Sequence, residues 1–262
     1  MNYNLNDRVI VITGAGSGIG LATTKAFLAE GAYVVGGDLD PTPLQALDQK
    51  ERLLPVQVDM RSTSDAEQLI NAALKQFDQI DVLYNNVGVA TAQESFLHVS
   101  DEQWLNTMDL NLLGYVRATR AVLPHMLKRG QGVLLHTASE AAKMPNPMLP
   151  EYSVSKAAIA MLSKVLATEF TQKGIRSNAI SPACIRTAIF DKKGGLADTL
   201  AEKFGVDREE ALKRYVEMTG IPVGRLGKPD EVAALVVYLA SDLAQYISGA
   251  NFTIDGGVTP TL

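Results

Sequence analysis

A glycine-rich segment between a predicted strand and a predicted helix constrains the fold of this chain more than any other feature. The segment Thr13–Gly20 holds four glycines within seven residues and follows the apolar run Val9–Ile12. A helical pattern continues after it from Leu21. Glycines accept positive φ and let a pyrophosphate approach the backbone, and the helix N-terminus offers unpaired N–H groups to the anion. The segment therefore predicts a dinucleotide-binding turn, because an ordinary tight turn needs fewer glycines. Its candidate cofactor-binding residues are Gly14, Ser17, Gly18, Ile19 and Gly20.

Short apolar runs alternate with helical patterns along the chain, which predicts an α/β fold with a doubly wound, Rossmann-type parallel sheet. The predicted strands span residues 8–13, 33–38, 53–58, 81–86, 132–138, 175–181 and 250–254. The predicted helices span about 18–29, 62–77, 101–128, 151–173 and 229–240. Pro55 cannot donate a hydrogen bond to a neighbouring strand, so the third strand is expected at a sheet edge. The strand order 3-2-1-4-5-6 places it there.

The pattern predicts one catalytic domain over residues 1–262, without a repeat or an interdomain linker. Its one long connection, residues 183–228, includes a mixed-charge helical stretch at about 198–218. Connections of this length in compact domains usually act as lids or carry their own helices. We therefore predict a helical substrate lid.

Composition excludes several classes of protein. The net charge of −5 and the absence of a basic stripe argue against a nucleic-acid partner. No apolar run approaches the roughly 18 residues that cross a bilayer, so no membrane association is expected. The single cysteine, Cys184, excludes an internal disulfide and fits a reducing compartment. No signal-peptide pattern begins the chain, and the expectation is a soluble, cytoplasmic protein.

Tyr152 and Lys156 are four residues apart, and Ser139 lies thirteen residues before the tyrosine. Residues i and i+4 share one helix face, so the Lys156 ammonium is expected to lower the phenol pKa from about 10. Ser139 is expected to donate a hydrogen bond to the same oxygen. A tyrosine tuned in this way exchanges a proton with an alcohol or a carbonyl near neutral pH. Taken alone, the pair also fits an accidental spacing on a solvated helix face.

Asp38 ends the second predicted strand, eighteen residues after Gly20. A carboxylate at this place accepts hydrogen bonds from the ribose hydroxyls of an adenosine and repels a 2′-phosphate. Neither Ser17 nor Leu39 is basic, so neither offers a phosphate a cation. The sequence thus predicts NAD as the cofactor, with a simple cap of the next turn as the alternative role for Asp38.

Nearly the whole chain resembles the short-chain dehydrogenase/reductase family of the compact type. The resemblance rests on motifs that occur in the family's order: Thr13–Gly20, Asp59, Asn85–Gly88, Asn111, Ser139, Tyr152, Lys156 and Pro182–Thr187. The chain departs from the family pattern at Val87, where Ala is more usual, and at Ala183, where Gly is.

The resemblance also implies roles for individual residues. It places Asp59, Met60, Asn86 and Gly88 at the adenosine, and Pro182, Ile185 and Thr187 at the nicotinamide. Tyr152 and Lys156 are implied to bind the nicotinamide ribose as well as to act in catalysis with Ser139. Asn111 is implied to hold a water beside the lysine and to complete a proton path. A homotetramer is the implied assembly.

No metal site is expected. His136 lies within the fifth predicted strand and is interpreted as a packed core histidine. His98 and His125 have no carboxylate or thiol at ligand spacing. Cys184 has no paired histidine, so a small apolar role is favoured over nucleophilic catalysis.

The leading hypothesis is an NAD-dependent dehydrogenase or reductase that acts on a small-molecule secondary alcohol or ketone. The alternatives are a 3-oxoacyl thioester reductase, an inactive nucleotide-sensing protein, and a lyase or dehalogenase on the same scaffold. The substrate class stays open. Apolar residues near the tyrosine favour a neutral substrate: Ala141, Met144, Met148, Leu149, Ile189 and Phe190. Basic residues nearby would suit a carboxylate: Lys143, Arg186, Lys192 and Lys193.

Overall fold

A single parallel sheet of seven strands forms the centre of the molecule. A computed structural model describes residues 3–260, so the outermost residues of the predicted 1–262 domain lie outside the described part. The strands are β1 (Val9–Thr13), β2 (Tyr33–Asp38), β3 (Leu53–Gln57), β4 (Val82–Asn85), β5 (Gly132–Thr137), β6 (Ile175–Pro182) and β7 (Asn251–Ile254). Their spatial order is 3-2-1-4-5-6-7, as expected for a doubly wound sheet.

Helices cover both faces of this sheet. They are α1 (Gly18–Ala29), α2 (Thr42–Gln45), α3 (Thr63–Phe77), α4 (Asp101–Met108), α5 (Gly114–Arg129), α6 (Pro150–Phe170), α7 (Ala188–Asp191), α8 (Leu196–Phe204), α9 (Arg208–Thr219) and α10 (Pro229–Ala240). One large apolar cluster packs α1 and α10 against the sheet, and a second packs α3 and α5 against the opposite face. Burial on both faces explains why the central strand β1 is an almost continuous apolar run.

The edge position of β3 confirms the prediction from Pro55. Within the described residues β3 pairs with β2 alone, and Pro55 lies opposite Gly36. The capping box at the start of α4 is also present: Ser100 Oγ accepts from the Gln103 N–H, and the Gln103 side chain accepts from the Ser100 N–H.

Three predicted helices differ from the structure. The helix expected at 101–128 is interrupted by a π-helical turn, Asp109–Leu113, so that α4 and α5 are separate. The helix expected at 151–173 ends at Phe170 and continues as a short 3₁₀ turn. The stretch expected at 198–218 is two helices, because Gly205 takes φ +64° and ends α8.

The connection 183–228 has a small core of its own, formed by Phe190, Ala197, Leu200, Ala211 and Leu212. Its helices α8 and α9 pack against each other. Within residues 3–260, no helix is long and apolar enough to span a membrane.

Candidate active site

The glycine turn forms an open cradle between β1 and α1. Gly14 and Gly18 take positive φ angles of +66° and +50°. A Cβ on Gly20 would lie 1.9 Å from the Gly14 carbonyl oxygen, so only glycine permits this turn. Ser17 precedes the helix but its side chain caps none of the helix N–H groups. The first turn of α1 thus keeps N–H donors free for an anion, as an N-terminal phosphate site requires.

Asp38 lies against this cradle at the carboxyl end of β2. Its carboxylate accepts hydrogen bonds from the Gly16 N–H at 2.8 Å and from the Asp40 N–H at 3.1 Å. Asp38 therefore does cap the following turn, but the same carboxylate also contacts the glycine turn. A carboxylate has about four acceptor positions, so positions remain for ribose hydroxyls. Among the described residues, no ion pair joins Asp38 to a lysine or arginine.

The residues predicted at the adenosine differ in their hydrogen bonds and in their burial. The Asn86 side chain donates to the carbonyl groups of Thr13 and Gly14, at 3.3 and 3.1 Å, and so fixes the glycine turn to the end of β4. Met60 is buried in the core beneath α5, with 3% of its surface exposed. Asp59 accepts hydrogen bonds from Arg61.

The predicted nicotinamide segment crosses over to the glycine turn. Pro182 ends β6, and Ile185 forms an isolated bridge with Gly227. A Cβ on Gly18 would lie 3.3 Å from Thr187 Cγ2, so Thr187 faces the same cradle from the other side. The fold thus brings both ends of the predicted cofactor site together.

Tyr152 and Lys156 lie on one face of α6, as their spacing predicts. Lys156 is 3% exposed, and its Nζ donates to the Thr137 carbonyl at 2.7 Å. Nζ is 5.5 Å from the centre of the Tyr152 ring and 5.6 Å from that of Tyr115. Burial lowers the pKa of Lys156 to about 7, against the opposing effect of the Glu140 charge.

The prediction that Lys156 lowers the phenol pKa is wrong. Burial raises the pKa of Tyr152 to about 12, and the charge of Glu140 acts in the same direction. An interaction with Ser139 has the opposite effect and lowers this pKa. Lys156 has little influence because its ammonium is directed to the Thr137 carbonyl and its own pKa is lowered by burial.

Asn111 is fully buried in the π-helical turn and connects three segments. Its side chain exchanges two hydrogen bonds with the backbone of Val89, at 2.9 and 3.0 Å, and donates to Ser155 Oγ at 3.1 Å. A Cβ on Gly88 would lie 3.4 Å from Lys156 Nζ and 3.5 Å from Asn111 Oδ1. Gly88 therefore lies directly beside both Lys156 Nζ and Asn111, at ordinary van der Waals distance.

Sequence reasoning missed two parts of this site. The Thr137 carbonyl, which holds Lys156, leaves no signal in a side-chain pattern. Glu140 does leave a signal, since a carboxyl group follows the candidate serine directly. Ser139 Oγ donates to Glu140 Oε2 at 2.5 Å, and burial raises the pKa of Glu140.

Burial also shifts the pKa of two further candidate groups, His136 and Cys184. His136 is fully buried between Asn85 and Ser177, and burial lowers its pKa to about 3, so the ring is neutral. Burial also raises the pKa of Cys184, which disfavours a reactive thiolate. No group of three or more potential metal ligands occurs in the part of the chain between residues 3 and 260.

Known proteins resemble this chain over nearly its full length. A family model described as enoyl-(acyl carrier protein) reductase matches residues 14–259. The chain is 36% identical over 259 residues to a 3-oxoacyl-[acyl-carrier-protein] reductase of Thermotoga maritima, covering 97% of this chain and 98% of the relative. It is 36% identical over 260 residues to an NAD-dependent glycerol dehydrogenase of Listeria innocua, covering 98% and 96%.

The fold is also similar to that of L-sorbose reductase from Gluconobacter frateurii, solved with NADPH and L-sorbose. That structure has a TM-score of 0.93 and 34% identity, and each chain is covered completely. By their names, both relatives and this structure are dehydrogenases or reductases. The chain therefore belongs to the short-chain dehydrogenase/reductase family.

Proposed function

We propose that this protein is an NAD-dependent dehydrogenase that interconverts a neutral secondary alcohol and its ketone. The observation that carries the proposal is the buried Lys156, whose Nζ lies 5.5 Å from the centre of the Tyr152 ring on the same helix face, together with the buried Ser139. A phenol, a hydroxyl and a buried amine in this arrangement can hold and exchange one proton at a substrate oxygen.

The proposed cofactor site uses the cradle and its two flanks. The turn residues Gly14, Ser17, Gly18, Ile19 and Gly20 would hold the pyrophosphate, and Asp38 the adenosine ribose. The adenosine would lie near Asp59, Met60, Asn86 and Gly88, and the nicotinamide near Pro182, Ile185 and Thr187. Asp38 forms no ion pair within residues 3–260 and has exposed Leu39 beside it, and both features support NAD over NADP. The bound cofactor supplies the acceptor or donor of the hydride.

The proposed reaction assigns one task to each catalytic residue. Tyr152 takes the hydroxyl proton as the alcohol becomes a ketone, and returns a proton in the reverse direction. Ser139 holds the same substrate oxygen by a hydrogen bond. Lys156, whose pKa is about 7, binds the nicotinamide ribose and exchanges protons near neutral pH. Asn111 keeps the lysine surroundings in place through Val89 and Ser155.

A neutral, hydroxylated substrate is favoured over an acidic one. Arg186 is engaged with Asp191 and Glu209, and Lys143 donates to Thr253 Oγ1 at 2.9 Å. The carboxylate nearest the serine, Glu140, would repel an anion. Met144, Met148 and Ile189 are exposed and could line the substrate path, whereas Phe190 is buried in the small core of the 183–228 segment. We propose that this segment acts as the substrate lid.

The test is NADH formation from NAD⁺ with a panel of secondary alcohols that includes glycerol and other polyols. Turnover of at least one polyol, with NAD preferred over NADP, is expected. A 3-oxoacyl thioester is the second candidate substrate, favoured by the similarity to the Thermotoga reductase. Reduction of an acetoacetyl thioester far faster than any ketone, with no alcohol oxidised, would favour that candidate instead.

We propose a homotetramer as the assembly. Helix α6 leaves Val154, Met161 and Val165 exposed by 49%, 64% and 51%, so the lid does not cover this face. The side chains of Leu123, Leu127 and Leu162 form an apolar groove beside it, between α5 and α6. A helix exposed in this way is stabilised when a second subunit covers it.

A further inference from the structure

The carboxylate of Glu140 is fixed beside the candidate serine and has few hydrogen-bond donors. Glu140 is half-buried in the 3₁₀ turn Glu140–Ala142, and its backbone carbonyl accepts from the N–H groups of Lys143 and Met144 at 2.8 and 2.9 Å. Its Oε2 accepts from Ser139 Oγ at 2.5 Å. Among residues 3–260, Ser139 is the one side chain that donates to this carboxylate. An ionised carboxylate has about four acceptor positions, so positions remain for a ligand.

The cations of the site do not neutralise Glu140. Lys143 Nζ donates to Thr253 Oγ1 at 2.9 Å, and Lys156 Nζ donates to the Thr137 carbonyl at 2.7 Å. In the described part of the chain, no ion pair includes Glu140. A half-buried carboxylate of this kind is stabilised by hydroxyl or amide donors and repels anions. The chemistry of Glu140 thus suits a hydroxyl group of the ligand.

The single hydrogen of Ser139 has two acceptors in the proposed reaction. In the structure the serine hydroxyl donates to Glu140 Oε2, whereas in the reaction it donates to the substrate oxygen. The Ala141 N–H also contacts Ser139 Oγ, at 3.1 Å, but it donates and so takes no hydrogen. A substrate must therefore draw the serine hydrogen away from Glu140. The carboxylate then needs a replacement donor.

A hydroxyl group on the carbon next to the reacting carbon supplies this donor. Two oxygens on adjacent carbons lie about one hydrogen-bond length apart, and Ser139 Oγ and Glu140 Oε2 are separated by a similar distance, 2.5 Å. The reacting oxygen then accepts from Ser139 while the neighbouring hydroxyl donates to Glu140, so that every hydrogen has an acceptor. An alcohol that lacks the second hydroxyl leaves either its own oxygen or the carboxylate without this donor.

We propose that Glu140 is a specificity-determining residue, which selects vicinal diols and α-hydroxyketones by accepting a hydrogen bond from the hydroxyl next to the reacting carbon. The inference rests on the proposed function, because that function places the reacting oxygen at Ser139. No covalent bond changes at Glu140, since one hydrogen-bond donor replaces another there.

The experiment compares kcat/KM for alcohols that differ in the neighbouring hydroxyl, with the full chain and NAD⁺. The pairs are propane-1,2-diol with propan-2-ol, butane-2,3-diol with butan-2-ol, and cyclohexane-1,2-diol with cyclohexanol. Burial raises the pKa of Glu140, so the assays are run at about pH 9, where the carboxyl group is ionised. The wild type should prefer the diols at least about tenfold. This is the low end for a hydrogen bond to a charged group, because a water can replace the missing hydroxyl.

Two substitutions of Glu140 test its part in this preference. Glu140→Ala removes the acceptor, so the preference should fall about tenfold or more, through a loss with the diols and no loss with the mono-alcohols. Glu140→Gln keeps the volume and removes the charge, so its preference should lie between those of the wild type and Glu140→Ala; it keeps the test decisive if the alanine variant is poorly folded. A merely structural role would lower kcat/KM equally for both alcohols of a pair. Glu94→Ala, which removes an exposed carboxylate that contacts His98 at 3.9 Å, is the matched control and should keep the wild-type preference.

The outcomes separate this inference from the proposed function. Equal kcat/KM for the diols and the mono-alcohols in the wild type would overturn the inference and leave the proposed function standing. A diol preference that survives in both Glu140→Ala and Glu140→Gln would overturn it too, as would a best substrate, in these pairs or in the wider panel, without a neighbouring hydroxyl. A wild type that oxidises no alcohol and reduces no ketone would instead refute the proposed function.

Discussion

The preference for NAD over NADP should depend on Asp38, and the double substitution Asp38→Ser with Leu39→Arg should narrow or reverse it. Asp38 is held in place by the N–H groups of Gly16 and Asp40, so its carboxylate cannot easily turn away from a bound nucleotide. The Leu39 side chain is 56% exposed, so an arginine fits there without disturbing the core. The double variant removes the repulsion and supplies a cation for the phosphate.

The expected magnitude follows from the charges. A 2′-phosphate carries about −1.5 to −2 charges at neutral pH. At about 4 Å and an effective dielectric constant near 20, each pair of unit charges interacts by about 4 kcal/mol. Asp38 is half-buried at the edge of the site, so solvent and salt reduce this repulsion. A remainder of about 2–3 kcal/mol corresponds to a preference of roughly 30- to 150-fold.

The assay is kcat/KM for NAD⁺ and NADP⁺ at a saturating concentration of one alcohol, repeated at low and high salt. Asp40→Ser is the matched control, because its carboxylate accepts from Thr42 and does not contact the glycine turn. The preference should persist in this control and should fall at high salt in the wild type. Equal use of both cofactors by the wild type, or an unchanged ratio in the double variant, would refute the reasoning.

Three further substitutions test other parts of the account. Gly20→Ala should lower Tm and weaken cofactor binding more than tenfold, because its Cβ would lie 1.9 Å from the Gly14 carbonyl oxygen. Titration of cofactor fluorescence measures the loss of binding. Lys156→Met should lose turnover. The pKa of Lys156 is about 7 in the folded chain and 10.5 in the unfolded chain, so the unfolded chain binds more protons between these two pH values. Wild-type stability should therefore rise with pH in this range. The Tm of Lys156→Met should lack this rise. Met161→Asp should dissociate the proposed tetramer in light scattering, and a wild-type mass of one chain would contradict the assembly.

The sheet could be predicted from the sequence because its central strands, β1 and β4, are short, mainly apolar runs that are buried throughout. Pro55 identified the edge strand, because a proline within a strand is tolerated where no neighbouring strand needs its missing N–H as a hydrogen-bond donor. The long helix predicted at 101–128 contains a π-helical turn that has a tertiary origin. The turn at Asp109–Leu113 widens where Asn111 reaches the backbone of Val89, a segment 22 residues earlier in the chain. A local helical pattern contains no information on such a contact.

The residues of the candidate site were predicted better than their electrostatics. Spacing placed Tyr152 and Lys156 on one helix face, and the structure confirms this placement. The direction of the phenol pKa was wrong, because it depends on burial and on the Thr137 carbonyl that holds the lysine. Neither quantity can be obtained from the spacing of two side chains.

The most direct test of the central claim is turnover by Tyr152→Phe with NAD⁺ and the best alcohol of the panel. The substitution removes only the hydroxyl, so the packing of α6 and the cofactor site should be retained. The account predicts a loss of about 10²–10⁴-fold in kcat, the usual contribution of a general acid or base, with cofactor affinity nearly unchanged. A phenylalanine variant that keeps most of the wild-type kcat would show that Tyr152 does not transfer the proton.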